Sequence, residues 1–491
     1  MIGDELKYRI RKAFGHVPTP EQEQALDTFS RFMTDRNENA VMVLRGSAGT
    51  GKTTLAAAMV QGLQSLGQKL VLMAPTGRAA KVFSLYSGHA AYTIHRRIYR
   101  QKSLEGSFDL NFNSATDTLF IIDEASMISL SASPVFNGSG GGLLDDLIRF
   151  VYNDRGCRML LIGDRAQLPP VGEEESPALV PSVLRSYGLH VHECDLNEVL
   201  RQGQESGILW NATRIRHSLS NPLLPKVRFQ GFADIRCVPG DELIESLASS
   251  YSRVGLDETM VVTRSNKRAN IYNQGIRNQV LGREEELTTG DLLMVVKNNY
   301  SLTPNPSPFR EGYVKGEGNA RGEGSGVHPM EFIANGDRCV VRRVRNVHEQ
   351  YGFRFAEATL TFPDYDDYEL TATVLLDTLY SEAPALTHEQ QEELYNKVME
   401  DYADIPLKQD RLKRVREDRY YNALQVKFAY AATCHKTQGG QWQHIYVDQG
   451  YMTDDMLTPD YLHWLYTAFT RATERLFLVN WPKTQTEEPE E

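Results

Sequence analysis

The chain has 491 residues, 53 of them Lys or Arg and 64 Asp or Glu, for a formal net charge of −11. With 41% hydrophobic and 24% charged residues it sits near the globular average, which excludes a disordered, collagen-like or disulfide-stapled chain and suggests about three folded units. No stretch reaches the roughly 18 apolar residues of a membrane span, Met1 to Phe14 is too charged for a secretory signal, and the five cysteines show no CxxC spacing, so a soluble cytoplasmic protein with no membrane partner is expected.

From residue 41 to 195 the chain repeats a short apolar run, a loop and a helical stretch. Val41–Leu44, Leu70–Ala74, Leu119–Ile122, Met159–Ile162 and Val191–Cys194 have the continuous apolar character of strands buried on both faces. Their alternation with helices predicts a parallel sheet. The first strand runs into Gly46, Ser47, Ala48, Gly49, Thr50, Gly51, Lys52, Thr53 and Thr54, ahead of a helical run Leu55–Leu66. Glycines at this spacing let backbone N–H groups and the helix N-terminus face phosphates, so this loop is expected to bind ATP. Lys52 would reach the β- and γ-phosphates, and Thr53 would hold Mg²⁺. Leu119–Ile122 ends in Asp123 and Glu124, a second metal ligand and a residue to activate the attacking water. Met159–Ile162 runs into Gly163–Val171, where Gln167 is placed to bond a γ-phosphate or its water.

A second set of apolar runs, Thr259–Thr263, Phe428–Thr433, His444–Val447 and Leu476–Val479, predicts a second α/β unit. It is interrupted from near Glu284 to near Leu424 by alternating strands such as Arg338–Val347 and Leu370–Leu376, the pattern of a small β domain. Thr387 with Gln390 has capping-box spacing and opens a polar helix. Ser129–Gly142, the Pro/Gly-rich Ser301–Gly326 and the acidic tail lack the apolar surface to order themselves.

Gly46–Thr53, Asp123-Glu124-Ala125-Ser126 and Gly163–Val171 resemble motifs I, II and III of superfamily 1 helicases. Tyr430-Ala431-Ala432-Thr433-Cys434-His435-Lys436-Thr437-Gln438-Gly439 resembles motif V of class B, the RecD-like and Dda-like enzymes, and Leu465–Ala472 resembles motif VI. The resemblance runs in order from about Thr19 to Asn480. It implies an α/β fold of two RecA-like P-loop domains. The first spans 1–195, with a small strand-separating β-hairpin insertion at about 99–118; the second spans 196–283 plus 425–482. A β-barrel-like domain, 284–424 with a flexible loop at 301–326, interrupts the second, and 483–491 forms a disordered tail.

The activity implied is an ATP- and Mg²⁺-dependent DNA helicase that moves 5′-to-3′ on single-stranded DNA and opens single-strand/duplex junctions in repair, recombination or replication. Position by position, the resemblance assigns Gln22 to adenine, and Arg201 (motif IV) and Arg471 (motif VI) to the γ-phosphate from the second domain. Gln438 and Gly439 would couple the nucleotide to the strand. Pro75, Thr76 and Arg78 of motif Ia, His95 of motif Ib, and Thr433, His435 and Lys436 of motif V would touch DNA. An RNA-directed helicase of the same superfamily is the first alternative. A regulatory nucleotide switch is disfavoured, because Asn266-Lys267-Arg268-Ala269 departs from a base-reading Asn-Lys-x-Asp motif at its last position.

The net acidity argues at first against a nucleic-acid partner, but its distribution reverses that inference. Asp364–Asp404 holds twelve acidic residues and one lysine, whereas Thr76–Lys102 holds six Lys or Arg and no acid. The acidity belongs to the interrupting domain and the tail, and a basic stretch lies among the proposed DNA motifs.

Overall fold

The structure, a computed structural model, describes residues 2–101, 108–131, 141–153, 156–200, 205–220, 225–299, 333–365, 367–453 and 456–487. Arg201, the loop expected at 301–326, the end of the acidic tail, the middle of the Ser/Gly loop and the tip of the predicted hairpin lie outside the described residues. The first eight strands are β1 Ala40–Gly46, β2 Lys69–Ala74, β3 Ala91–Thr93, β4 Tyr99–Gln101, β5 Phe108–Leu110, β6 Thr118–Ile122, β7 Arg158–Gly163 and β8 His190–Leu196. They are followed by β9 Ile235–Val238, β10 Thr259–Thr263, β11 Leu292–Val295, β12 Arg338–Gln350 and β13 Phe353–Phe362. The last five are β14 Tyr368–Leu375, β15 Leu424–Phe428, β16 Ala431–Thr433, β17 Trp442–Asp448 and β18 Ala472–Val479.

Contacts divide the chain into two units, Met1–Tyr272 with Ala431–Glu491, and Asn273–Tyr430. Among the described residues the first unit holds two parallel sheets, ordered β3-β2-β6-β7-β1-β8 and β16-β10-β17-β18-β9. Every residue of β1 and β6 is buried, which is why these segments are apolar without alternation. Helices Ile2–Phe14, Pro20–Met33 and Lys52–Ser65 cover one face through Ile10, Phe29, Leu55 and Met59. The first and third approach closely at Gly62, where a Cβ would stand 2.6 Å from Ile10 Cγ1. Between β3 and β6 of the first sheet in sequence, β4 and β5 pair antiparallel, Tyr99 opposite Leu110, as the hairpin insertion the sequence predicts.

Two departures from the sequence prediction have physical causes. Phe428–Thr433 is not one strand: β15 pairs with β11 and β14, whereas β16 pairs with β10 in the second sheet. The run is continuously apolar because both pieces are buried. The second sheet also gains β9, hidden in the sequence because this edge strand buries only Ile235 and Val238 and exposes Arg236 and Cys237.

The second unit contains a closed barrel of β11 to β15, with β12 and β13 its longest pair. Leu293, Val341, Phe355, Leu360, Val374 and Val426 are fully buried in it. Helix His388–Asp401 carries the capping box read from the sequence, Thr387 and Gln390 exchanging side-chain and backbone bonds. At the start of β11, Asp291 is fully buried and accepts from Arg277 (3.0 and 2.9 Å), Arg283 (2.9 Å), Tyr430 (2.9 Å) and the Thr288 amide (2.9 Å). Two guanidiniums, a phenol and an amide thus supply the hydrogen bonds that a carboxylate buried away from water requires.

Asp337, entering β12, is treated differently. It accepts from the Ala334 amide (2.7 Å) and the Tyr365 hydroxyl (2.9 Å), and burial pushes its pKa up to about 7. A folded value above the unfolded one stabilises the barrel fully below about pH 4, and this contribution fades as pH rises through about 7. Asp337→Asn keeps both acceptor bonds without the charge. It should flatten the fall in barrel stability between about pH 4 and 7, an effect of up to about 4 kcal/mol readable by urea unfolding across pH.

Candidate functional site

Strands β1, β6 and β7 are central in the first sheet, so the loops after them share one crevice at the strands' C-terminal ends. The loop after β1 turns through Gly49 (φ +79°) and Gly51 (φ +75°) into helix Lys52–Ser65. Gly51 must be glycine on two counts, since a Cβ there would also stand 2.8 Å from Gln22 Nε2. Gln22 is buried against this loop: its Nε2 donates to the Thr50 carbonyl (3.0 Å), and its Oε1 accepts from Thr19 N (3.0 Å). Lys52 Nζ donates back to the Gly46 carbonyl (3.0 Å), and Thr50 Oγ1 donates to Ser47 O (2.8 Å). Thr53 is half-buried and Thr54 exposed.

Asp123 closes β6, its carboxylate accepting from Glu124 N (2.9 Å). Burial, then the neighbouring Glu124, push its pKa up to about 6, against the pull of Lys52. Glu124 holds a left-handed backbone (φ +52°), and its Oε2 is buried with no hydrogen-bond partner among the described residues. Gln167, buried on the loop after β7, has an Oε1 in the same condition. Crowded carboxylates beside a lysine, with buried oxygens lacking donors among the described residues, fit a divalent cation and a polarised water, and Thr53 and Asp123 are the residues that could hold the metal.

The second sheet meets this crevice through helix Pro459–Phe469. Ala48 N–H donates to the Tyr466 hydroxyl (2.9 Å), which donates to Asp164 Oδ2 (2.6 Å). Burial raises the pKa of Asp164, opposed by Lys52 and the Tyr466 bond, and raises that of Tyr466 well above the usual phenol value. Leu168 is gripped at both backbone atoms: its N–H donates to Thr467 Oγ1 (2.8 Å) and its carbonyl accepts from Gln438 Nε2 (2.6 Å). Arg216, on helix Gly207–Ser218, donates to Ser47 Oγ in the phosphate loop. A cavity of about 440 Å³ borders Gly46, Ser47, Asp164, Asn197, Arg216 and His463; Lys52 and Asp123 do not line it.

Arg471 is buried, but its guanidinium donates to the Thr467 and Gly440 carbonyls (both 3.1 Å), on the second sheet's side. Asp164, Tyr466 and Arg216 were not singled out in the sequence. Asp164 and Tyr466 lie inside the motif-like stretches quoted above, whereas nothing local marks Arg216.

The residues expected on DNA lie toward one edge of each sheet. Pro75 and Thr76 follow β2, His95 follows β3, and Thr433 to Lys436 follow β16. The two groups touch: Gly439 (φ +71°) leaves so little room that a Cβ would stand 3.0 Å from Thr76 Oγ1, and Arg78 lies 4.4 Å from the Trp442 ring centroid while donating to Gln441 O. Thr76 Oγ1 caps helix Gly77–Ser87 by accepting from Ala79 N (3.2 Å). Burial pushes His95 down to about 4, so it is neutral near pH 7; it likewise lowers half-buried Lys436, while His435 is exposed.

Two family models match the chain, an AAA domain over residues 19–220 and a UvrD-like helicase C-terminal domain over residues 428–479. The ATP-dependent RecD2 DNA helicase of Deinococcus radiodurans is 36% identical over 137 residues, which cover 27% of this chain and 16% of that protein. The ATP-dependent DNA helicase dda of Enterobacteria phage T4 is 24% identical over 292 residues, 56% of this chain and 60% of that protein. The chain thus matches less than two thirds of either relative's length. A Bacteroides Pif1 helicase solved with ADP-AlF3 and ssDNA aligns over 97% of this chain and 95% of its own, at 16% identity and a TM-score of 0.45.

Tyr466→Phe leaves Ala48 N–H and an Asp164 oxygen buried without their partner. Urea unfolding of the variant should show a loss of about 1–3 kcal/mol; an unchanged midpoint would show that the hydroxyl contributes nothing to holding the two sheets together.

Proposed function

We propose that this chain is a RecD-like helicase of superfamily 1 class B, an ATP-driven motor that moves 5′-to-3′ along single-stranded DNA and unwinds duplex at a junction. The observation that carries the proposal is that one seam joins both kinds of residue. Its centre ties the phosphate loop to the second sheet through Ala48, Tyr466 and Asp164, and its edge sets Thr76 and Arg78 against Gly439 and Trp442. A change in the phosphate loop therefore reaches the residues assigned to the strand through direct contacts. The relatives named for ATP-dependent DNA unwinding support the same reading.

In this mechanism Lys52 leaves the Gly46 carbonyl for the β- and γ-phosphates, and Gln22 fixes the adenine side of the loop it already touches. Thr53 and Asp123 would hold Mg²⁺, and the ion would supply neutralisation of phosphate charge. Glu124 and Gln167 turn their unpartnered oxygens to the attacking water. Arg471 exchanges its carbonyl partners for the γ-phosphate as the seam closes, Arg201 joins it, and Gln438 transmits the shift through Leu168. His95, Thr433, His435 and Lys436, with Pro75, Thr76 and Arg78, grip the strand backbone. The hairpin β4–β5 is assigned to strand separation.

Lys52→Ala should reduce DNA-stimulated ATP hydrolysis at least about 100-fold while single-strand binding persists. Duplexes with a 5′ or a 3′ single-stranded tail test polarity, with unwinding expected from the 5′ tail. Opening only from the 3′ tail would overturn the assigned direction, and stimulation by RNA in place of DNA would overturn the substrate.

A further inference from the structure

A cluster far from the phosphate loop in the same unit has no part in this chemistry. His190 and His192 stand two residues apart on β8, the edge strand of the first sheet, so their side chains share one face. His190 Nδ1 and His192 Nε2 both lie 2.7 Å from the same oxygen, Asp35 Oδ2, and the rings meet edge to face with centroids 4.9 Å apart. Asp35 follows helix Pro20–Met33, so the cluster bridges the sheet edge and the end of the helix that carries Gln22 in its first turn.

The arrangement is built from several directions. Asp35 Oδ1 accepts from Asn37 N (2.9 Å), Arg158 donates to the Phe32 carbonyl (2.7 Å) and to that of Asp35, and His190 N donates to Asn39 O (3.0 Å). Phe32 packs against the His192 ring at 5.9 Å. The Asp35 and His192 side chains are 17% exposed and that of His190 is 54% exposed, which leaves one open approach from solvent.

We propose that Asp35, His190 and His192 form a binding site for a borderline divalent transition-metal ion of the Zn²⁺ class. The three donor atoms lie within 4.8 Å of one another. Two imidazole nitrogens and one carboxylate oxygen are a ligand set such ions favour over Mg²⁺, and a fourth position open to water suits tetrahedral coordination. Metal–ligand bonds of about 2.1 Å at tetrahedral angles need donors roughly 3.4 Å apart, so each N···O contact must lengthen by about 0.7 Å, within the reach of small side-chain rotations. To ligate, each ring presents a lone pair where it now directs N–H at Asp35 Oδ2, the proton passing to the other nitrogen of the same ring or, from a doubly protonated ring, to solvent. The Asn37 amide already orients the carboxylate from behind. The ion would staple the sheet edge to the segment that follows helix Pro20–Met33.

The test is calorimetric titration of the untagged, chelator-stripped full chain with ZnCl₂, repeated on Cys237→Ser to set aside the exposed thiol. One ion per chain is expected in both, with proton release. His190→Ala and His192→Ala should each weaken binding at least about tenfold. Circular dichroism and DNA-stimulated ATP hydrolysis measured without Zn²⁺ should match the parent, which shows that the variants fold. If they do not, Co²⁺ titration of the parent decides, an absorption spectrum of nitrogen and oxygen ligation supporting the site. No saturable binding, binding that survives both histidine substitutions, or a spectrum of thiolate ligation overturns the proposal.

Discussion

A buried phenol hydroxyl has one proton to give, and Tyr466 gives it to Asp164, which leaves its oxygen to accept the Ala48 amide. This single group satisfies a phosphate-loop N–H and a buried carboxylate at once, and it does so from the other sheet. Asp164 Oδ1 also accepts from Ala166 N (2.9 Å), so parting the sheets removes the Tyr466 partner from Ala48 N–H and from Asp164 Oδ2 while that local bond remains. The neighbouring Leu168 obeys the same constraint, since its N–H and carbonyl are both completed by Thr467 and Gln438. The nucleotide crevice is therefore finished by polar atoms from the second sheet.

A seam of this kind behaves differently from an apolar one. Each of its hydrogen bonds is worth only about 1 kcal/mol net when water can replace the lost partner. An apolar contact of similar area resists opening because it exposes surface that water cannot satisfy. The polar bonds of the seam can therefore separate and re-form at modest cost, provided water enters as they part. Asp123, raised by its own burial and by Glu124, belongs to the same balance, because a cation at the crevice would relieve charge crowding that the protein alone leaves uncompensated.

The chemistry carried by contiguous residues was legible in the sequence. A strand, a glycine turn and a helix start announce the phosphate loop, and Asp123 stands where an apolar strand ends. What was hidden depends on residues far apart in the chain. Tyr466 sits in an apolar helix and reads as core; its function comes from Ala48, 418 positions away. Arg216 lies on a helix whose sequence gives no reason to look toward Ser47. The resemblance assigns Arg471 to the γ-phosphate and Arg78 to DNA; here Arg471 bonds carbonyls and Arg78 lies on the face of Trp442, because a guanidinium satisfies itself on any well-placed acceptor or ring. The strand boundary at Phe428 was missed for a related reason: apolar continuity records burial, and it does not say into which sheet.

The barrel unit begins at Asn273 and ends at Tyr430, and these two residues bond each other directly, Asn273 Oδ1 accepting from Tyr430 N at 3.1 Å while Asn273 Nδ2 donates to Phe428 O at 3.1 Å. Asp291 adds a second tie by holding Arg277, near the outgoing chain, and Tyr430, on the returning chain. A module whose two ends meet can be gained, exchanged or lost in evolution by splicing at one point, without stretching the host polypeptide across a gap. The same junction marks where an engineer would excise the barrel, or graft another in its place, with a short linker.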